Sequence, residues 1–157
     1  MSRTHKDYLS KAINIARENQ EKGGGPFGAI IVKEGKVIAK SGNTVALDND
    51  PTLHAEINVI RMACKKLGHF ELKGCTLYSS CEPCPMCLGA IYWSRLDAVY
   101  FSAKKEDAKD AGFDDSFIYE ELKISPEKRR IPMYQQKRSE GLIPFEEWKE
   151  REDKIEY

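Results

Sequence analysis

The sequence predicts a single α/β domain over residues 1–157, in which helices cover a central mixed sheet. Three observations support this prediction: an amphipathic helical segment near the start, a β-hairpin pattern after it, and a middle that alternates strand, helix and strand. A hairpin pairs its strands antiparallel, whereas a strand–helix–strand unit pairs them parallel, so a sheet that contains both is mixed. A chain of 157 residues is also long enough to bury one core without disulfide bonds.

The first half of the chain contains two helices and the hairpin. Apolar residues at helical spacing predict the first helix over roughly 5–21, and Gly23-Gly24-Gly25-Pro26 then breaks the chain. Phe27–Lys33 is rich in β-branched residues and Lys36–Lys40 returns after a turn, which predicts the hairpin. The polar run Ser41–Pro51 is predicted to be a loop. The second helix ends at Gly68 and has an apolar face of Ile57, Ile60, Cys64 and Leu67.

The second half continues this alternation and then loses its clear pattern. Short strands at Thr76–Ser79 and Ala98–Phe101 enclose a third helix over Pro85–Ser94. Three more helices are predicted, at 104–110, 116–122 and 144–154.

Composition and charge restrict the partners. The 25 Lys and Arg residues balance 25 Asp and Glu residues, whereas a protein that binds a polyanion usually carries a basic surplus. We therefore expect a small-molecule partner and no nucleic acid. No apolar run reaches the ~18 residues of a membrane span, and the polar start does not resemble a signal peptide. Five cysteines, three of them within seven residues, suit a reduced cytosolic protein, so we expect a cytoplasmic location and no membrane partner.

Two short motifs indicate a metal site. The first is His54-Ala-Glu56, and the second is Cys84-Pro-Met-Cys87, about thirty residues later. A Cys-x-x-Cys pair at the start of a helix places both sulfurs on one side of the first turn, where the helix dipole favours thiolates. Zinc accepts thiolates together with imidazole, and three protein ligands leave a fourth position for water. The sequence therefore predicts one catalytic Zn²⁺ per chain, held by His54, Cys84 and Cys87.

Glu56 serves the same metal only under one condition. Residues two apart differ by about 200° around a helix, so His54 and Glu56 cannot share a mid-helix face. They meet at one site only if the N-terminus of their helix faces the metal, and Pro51-Thr52 just ahead of them is a suitable start signal. We therefore expect this helix to begin at the metal.

The joint pattern H-x-E and P-C-x-x-C is the signature of zinc-dependent nucleobase deaminases, and here it is complete and in order. In that chemistry zinc lowers the pKa of its bound water from ~15.7 toward ~7. Glu56, which is not a zinc ligand, is the predicted catalytic residue. It takes the proton of the water, passes it to a ring nitrogen and later delivers a proton to the departing ammonia. The alternative is a structural zinc or a redox cysteine pair beside an unrelated His-x-Glu.

Four segments carry a closer resemblance that runs nearly from end to end: Gly24–Ala29, Asn49–Thr52, Ser80–Trp93 and Ala111–Tyr119. With these segments the chain is similar to the bacterial guanine deaminases of the cytidine deaminase-like superfamily. The last segment discriminates best, because related tRNA adenosine deaminases share the zinc signature but lack Gly-Phe-Asp-Asp-Ser-Phe. The chain also ends in Glu-Tyr, like the guanine deaminases.

The resemblance implies a three-layer α/β/α fold and the hydrolysis of guanine to xanthine and ammonia, with attack at C2. It also implies that Asn43 hydrogen-bonds the purine, that Phe27 stacks on it, that Asp115 contacts its polar edge and that Tyr157 closes the pocket. In the family the C-terminal segment is exchanged within a dimer. We therefore expect a homodimer in which residues from about 130 to 157 cross to the partner, and Asp115 and Tyr157 could serve the partner's site.

Each of these side chains also has a structural interpretation. Asn43 suits a turn, Phe27 a core position, and Asp115 the cap of the helix that follows it. Tyr157 would ordinarily belong to a frayed terminus. Trp93 is expected in the core of the third helix, and the border of the substrate pocket is its second interpretation.

The other three cysteines are not expected to bind the metal. Cys64 and Cys75 suit buried small apolar positions. Cys81 lies three residues before a predicted ligand but is expected to stay outside the ligand set.

Other functions remain open at this stage. A deaminase of tRNA adenosine, cytosine or a nucleoside such as guanosine would use the same zinc and the same Glu56. The neutral charge and the Phe-Asp-Asp segment argue against tRNA. A non-catalytic zinc module that acts in assembly is a possibility from a different class, but a purely structural metal has no use for the Glu56 carboxylate.

Overall fold

The computed structural model describes residues 3–157, and the chain divides into two compact units. The first unit ends at Ser116, and the second is Phe117–Tyr157. The elements of the first unit are α1 (His5–Glu21), β1 (Gly25–Lys33), β2 (Lys36–Asn43), α2 (Val45–Asp48), α3 (Ala55–Leu67), β3 (Cys75–Cys81), α4 (Pro85–Trp93), β4 (Ala98–Ala103) and α5 (Lys105–Asp110). Then follow α6 (Ser116–Glu121), a 3₁₀ turn (Pro126–Lys128) and α7 (Arg138–Glu150).

The first unit is built on a four-stranded mixed sheet in the order β2-β1-β3-β4. β1 pairs antiparallel with both β2 and β3, while β3 and β4 are parallel and α4 connects them. This confirms the predicted mixed sheet. The hairpin register runs from Lys33 opposite Lys36 to Gly25 opposite Asn43, so Asn43 and Phe27 lie at the same end of the hairpin.

Side chains of β1 alternate between the two faces of the sheet, which produces the three layers. On one face Ile30 and Val32 pack with Tyr8 of α1. On the other face Ala29 and Ile31 pack with Val59 of α3 and with further residues of α3 and α4, among them Ile60, Ala63 and Ile91. The predicted cover of helices on the sheet is therefore confirmed.

Gly28 allows α1 to lie directly on β1. A Cβ atom at Gly28 would come within 2.3 Å of the Ala12 carbonyl oxygen and 2.6 Å of the Ala16 nitrogen. Any side chain here would push the helix away from the strand. This close packing brings Asn19, near the end of α1, to the ends of the first two strands.

β2 is longer than predicted, and the predicted loop is partly helical. Ser41, Gly42 and Asn43 continue the pairing with β1, and Val45–Asp48 then forms the single turn α2. The extended pairing joins backbone groups, so it does not need the β-branched side chains on which the prediction depended.

α3 ends at Gly68, which has φ +68°, as predicted, but its buried face differs from the predicted one. Val59, Ile60 and Ala63 are buried, whereas Leu67 is 36% exposed. The buried face of α3 includes alanines, which permit close packing on the sheet. A prediction based on large apolar side chains does not identify these alanines.

The second unit has no buried residue among Phe117–Tyr157, all of which the structure describes. α7 begins at Arg138 instead of Pro144, and Pro144 lies inside the helix. The helix was predicted to begin at Pro144, a residue type that is favoured in the first turn of a helix. Across residues 3–157, none of the helices has both the length and the apolar character that a membrane crossing requires.

Candidate active site and metal centre

Two of the three predicted metal ligands stand at the start of a helix. His54 is the N-cap of α3 with φ −64° and ψ 158°, and Cys84 is the N-cap of α4 with φ −68° and ψ 169°. Pro85 follows in the first turn of α4, where its missing N–H removes no helical hydrogen bond. Cys87 lies in the same turn. The two helix starts therefore meet at one point, where their dipoles favour negatively charged ligands.

The spacing of the three ligand atoms fits zinc. His54 Nδ1 lies 3.4 Å from Cys84 Sγ and 3.5 Å from Cys87 Sγ. Zinc bonds of about 2.0–2.1 Å to nitrogen and 2.3 Å to sulfur, at a tetrahedral angle, would place nitrogen and sulfur about 3.6 Å apart. Among the described His, Cys, Asp and Glu side chains, these three residues form the possible metal site. Their ligand atoms all lie within 4.8 Å of one another. Nδ1 is the His54 nitrogen that faces the sulfurs.

Hydrogen bonds within this group already favour a thiolate. The side-chain interaction with Cys87 lowers the pKa of Cys84 to about 4, and the interaction with His54 adds to the effect. The same pairing raises the pKa of Cys87, and the bond with Cys84 raises that of His54. A thiolate beside an imidazole is the kind of ligand set that a divalent cation such as Zn²⁺ binds.

Glu56 lies in the first turn of α3 and is 5% exposed. Its Oε1 accepts a hydrogen bond of 2.6 Å from Ser79 Oγ on β3. Its Oε2 accepts a hydrogen bond from Cys87 Sγ at 3.3 Å. Because α3 begins at His54, the imidazole and the carboxylate reach the same point although they are two residues apart. The structure thus brings Glu56 together with the three ligands.

Asn43 and Phe27 lie at one end of the hairpin. Asn43 is 9% exposed, and its Oδ1 accepts a 3.1 Å hydrogen bond from the Val45 amide at the start of α2. Phe27 meets Phe113 edge to face, with ring centroids 5.0 Å apart, and it packs partly against the core. Asn43 therefore stabilises the turn after β2, and Phe27 packs partly in the core. For both residues, contact with a purine stays a prediction.

Asp115 is half-buried and interacts electrostatically with Cys84 and His54 of its own chain. Burial raises its pKa, and the negative charge of Cys84 adds to this. The capping role belongs to its neighbour instead, because Asp114 Oδ1 accepts hydrogen bonds from both the amide and the hydroxyl of Ser116. That Asp115 contacts the substrate, in its own chain or in a partner's site, stays a prediction.

Cys81 stays apart from the ligand group. It is 6% exposed, and its Sγ donates to the Lys104 carbonyl at 3.7 Å. Burial raises its pKa to about 11, so it remains a thiol. Its pairing with Lys104 fits the prediction that it does not bind the metal.

Known proteins share both the motif and the rest of the chain. The family model for the cytidine and deoxycytidylate deaminase zinc-binding region matches residues 2–103. Guanine deaminase of Bacillus subtilis is 53% identical over 154 residues, which cover 98% of this chain and 99% of that protein. The chain belongs to the guanine deaminase family of zinc-dependent deaminases.

Solved structures agree with this family. An X-ray structure of guanine deaminase from Bacillus subtilis is similar with a TM-score of 0.96 at 52% identity and covers 99% of both chains. A guanine deaminase from Nitrosomonas europaea has a TM-score of 0.69 at 30% identity, over 73% of this chain and 66% of that one. By contrast, the tRNA-specific adenosine deaminase of Aquifex aeolicus is 48% identical over 96 residues, which is 61% of this chain and 64% of that protein.

Two predicted substrate residues are not placed beside the metal ligands: Trp93 lies at the other end of α4, and Tyr157 belongs to the second unit. Trp93 is the last residue of α4 and is 63% exposed, so its expected core position is wrong. The nine residues of α4 separate its two ends by about 12 Å, and the metal ligands are at the other end. Tyr157 belongs to the second unit and is 74% exposed. Its contact with substrate stays a prediction.

Sequence motifs did not identify two buried side chains that support the site. Ser79 donates to Glu56, and Asn19 donates to the backbone carbonyls of Gly25 and Asn43 at 2.7 and 2.9 Å. Neither residue belongs to a motif. Asn19 leaves one signal, because a polar residue on the apolar side of an amphipathic helix needs a buried partner.

Proposed function

We propose that the protein hydrolyses free guanine to xanthine and ammonia. The observation that supports this most strongly is the similarity to guanine deaminase over almost the whole chain. The ligand group and Glu56 give that similarity its chemistry, because both are in place at the two helix starts.

In this reaction the metal ligands and Glu56 have separate roles. His54, Cys84 and Cys87 would hold a Zn²⁺ ion, which would lower the pKa of a water molecule enough for it to lose a proton near neutral pH and act as the nucleophile. Glu56 takes a proton from the attacking water on Oε2 and gives it to a ring nitrogen beside C2. It then takes the remaining proton from the oxygen now bonded to C2 and delivers it to the amino group, and the C2–N bond breaks so that ammonia leaves and the C2 carbonyl of xanthine forms. Guanine and water are consumed, and xanthine and ammonia are formed.

We assign recognition of the purine to three side chains. Asn43 already uses its Oδ1 for the Val45 amide, so its Nδ2 remains as the donor for an acceptor on the base. Phe27 provides a ring for stacking, and its contact with Phe113 holds that ring in place. Asp115 meets the polar edge of the base near the metal ligands.

We also infer that the protein acts as a homodimer in which a segment of about 130–157 crosses to the partner, where Tyr157 covers the purine. The absence of any buried residue in Phe117–Tyr157 supports this, because a segment with apolar side chains this exposed gains stability by packing on another surface. Tyr92 and Trp93 on α4 are 70% and 63% exposed and offer a surface of the aromatic type that interfaces favour.

A substrate panel tests the proposed reaction. Ammonia release is measured with guanine, adenine, cytosine, guanosine and adenosine-containing tRNA at equal concentrations. We expect guanine to react fastest, because a site with buried polar groups rejects bases that leave those groups unpaired, by up to ~10⁴–10⁵-fold. A guanosine, cytosine or tRNA rate that equals the guanine rate would contradict the assignment and leave the zinc chemistry intact. No ammonia from any of them would contradict deamination itself.

A further inference from the structure

Ser79 is a buried hydroxyl that the deaminase signature does not include. It lies on β3 and is 1% exposed. Its Oγ donates to Glu56 Oε1 at 2.6 Å, a distance typical of a hydroxyl bound to a carboxylate. Ser79 and Glu56 are 23 residues apart in the chain, so the contact depends on the tertiary fold.

The two oxygens of the Glu56 carboxylate therefore have different surroundings. Oε1 is held by Ser79 on the sheet side. Oε2 lies 3.3 Å from the sulfur of Cys87, so it is the oxygen beside the metal ligands. With the carboxylate buried, no bulk water competes for the hydroxyl.

We propose that Ser79 is a positioning residue that keeps Oε2 of Glu56 directed at the reacting atoms. The hydroxyl donates to Oε1 both when Oε2 is free and when Oε2 carries a proton. The carboxylate consequently keeps one orientation while protons arrive and leave. Without this bond the carboxylate plane can rotate, and a misplacement of about 1 Å costs ~10²-fold in rate. This proposal rests on the deaminase activity proposed above.

Ser80 offers a matched control on the same strand. It is 9% exposed, and its Oγ accepts a 3.0 Å hydrogen bond from the Gly28 amide. Replacing Ser80 with alanine thus also removes a buried hydroxyl from β3, but this hydroxyl does not bind Glu56.

Steady-state kinetics and zinc content of Ser79→Ala and Ser80→Ala separate positioning from general destabilisation. For Ser79→Ala we expect kcat to fall about 10- to 100-fold, with KM and zinc content close to those of the wild type. For Ser80→Ala we expect kcat within about twofold of the wild type. Equal losses in both variants, or a Ser79→Ala kcat within twofold of the wild type, would overturn the proposal.

Two further variants make the test specific to Glu56. Ser79→Thr keeps the hydroxyl, and strands accept threonine well, so it should recover most of the turnover. In a Glu56→Gln background no base is left to orient, so adding Ser79→Ala should lower the residual rate by less than twofold. A further loss as large as in the wild-type background would contradict the role.

A crystal structure of Ser79→Ala supplies a readout that does not depend on activity. We expect the Glu56 carboxylate to turn away from its wild-type orientation or to show more than one orientation. An unchanged, singly oriented carboxylate would overturn the proposal. The wild type is assayed first on the base panel. A wild type without deaminase activity would contradict the proposed function. An active wild type together with an unaffected Ser79→Ala variant would contradict only the role of Ser79.

Discussion

Two carboxylates interact with the predicted metal ligands, and their surroundings differ. Glu56 is 5% exposed; its Oε1 accepts a hydrogen bond from the Ser79 hydroxyl, and its Oε2 lies 3.3 Å from the Cys87 sulfur. Asp115 is half-buried, and its burial together with the charge of Cys84 raises its pKa. Different surroundings assign carboxylates to different roles in one site. Glu56 suits proton transfer in the proposed reaction, and Asp115 suits contact with the base.

Replacing Glu56 with glutamine tests the proton-transfer role. The amide keeps the shape of the side chain but cannot accept the proton, so turnover should fall by ~10²–10⁴-fold or more. The fold and the zinc content should remain. Glu82→Gln is the matched control, since that carboxylate accepts a hydrogen bond from the Lys105 amide and not from Ser79 or Cys87. Turnover of Glu56→Gln within about tenfold of the wild type would remove Glu56 from the mechanism.

The neighbours Asp114 and Asp115 can be separated by substitution. Asp114→Ala removes the bonds to Ser116 and should lower the free energy of unfolding by about 0.5–2 kcal/mol with kcat/KM nearly unchanged. Asp115→Asn should lower kcat/KM for guanine by about 10- to 100-fold, which corresponds to one hydrogen bond to a charged group. Urea unfolding and initial rates measure both effects. A lowered kcat/KM in Asp114→Ala together with an unchanged kcat/KM in Asp115→Asn would assign the substrate contact to Asp114.

At the scale of elements, the site depends on two helix starts and on the end of one hairpin. α3 and α4 present His54 and Cys84 as their N-caps. The hairpin end is held from α1, because Asn19 donates to the carbonyls of Gly25 and Asn43. A Cβ at Gly42 would meet the Asn19 side chain at 2.2 Å, so glycine is needed at this contact. α1 therefore fixes the backbone that carries Asn43.

Substitution of Asn19 tests this support. Asn19→Ala leaves two carbonyls without their donor, so the free energy of unfolding should fall by about 1–3 kcal/mol. KM for guanine should rise, because the backbone of Asn43 is no longer held. Gln20→Ala, at the exposed neighbouring position, is the control for loss of an amide from the same turn. An unfolding free energy of Asn19→Ala within about 0.5 kcal/mol of the wild type would contradict the support.

The sequence predicts local features of these elements and misses those that depend on packing. His54, Cys84 and Cys87 are predictable because their motifs lie at helix starts and carry their own geometry. The mixed sheet follows from the order of hairpin and strand–helix–strand. Ser79 and Asn19 are not predictable in this way, because Glu56 is 23 residues from Ser79 and one of the two Asn19 acceptors, the Asn43 carbonyl, is 24 residues away, so both contacts form only in the folded chain. The start of α7 was misplaced because Pro144 signals a helix start locally and yet is accommodated inside the helix.

At the scale of the whole molecule, the two units differ in how they bury their side chains. The first has a core on both faces of its sheet. The second leaves Ile131, Tyr134, Phe145 and Tyr157 between 65% and 82% exposed. This difference supports a second copy of the chain as the surface on which the C-terminal segment packs.

Deleting Ile155–Tyr157 tests the role of the tail. Turnover should fall or KM should rise, with zinc content unchanged, because the proposed cover of the purine is lost. Tyr134→Ala removes another exposed ring of the same unit and is the control. Mixing the truncated protein with Glu56→Gln should restore activity above that of either parent if the tail acts across subunits. Unaltered kinetics of the truncated protein would make Tyr157 an ordinary terminal residue.

The central claim is that this chain is a zinc-dependent guanine deaminase with its metal at His54, Cys84 and Cys87. The most direct measurement is ammonia release from guanine by the purified, the chelator-treated and the zinc-reconstituted protein, with zinc content measured in each. We expect turnover to disappear with the chelator and to return in proportion to zinc, up to one ion per chain. Guanine turnover that persists in zinc-free protein, or fully loaded protein that releases no ammonia from guanine, would contradict the claim.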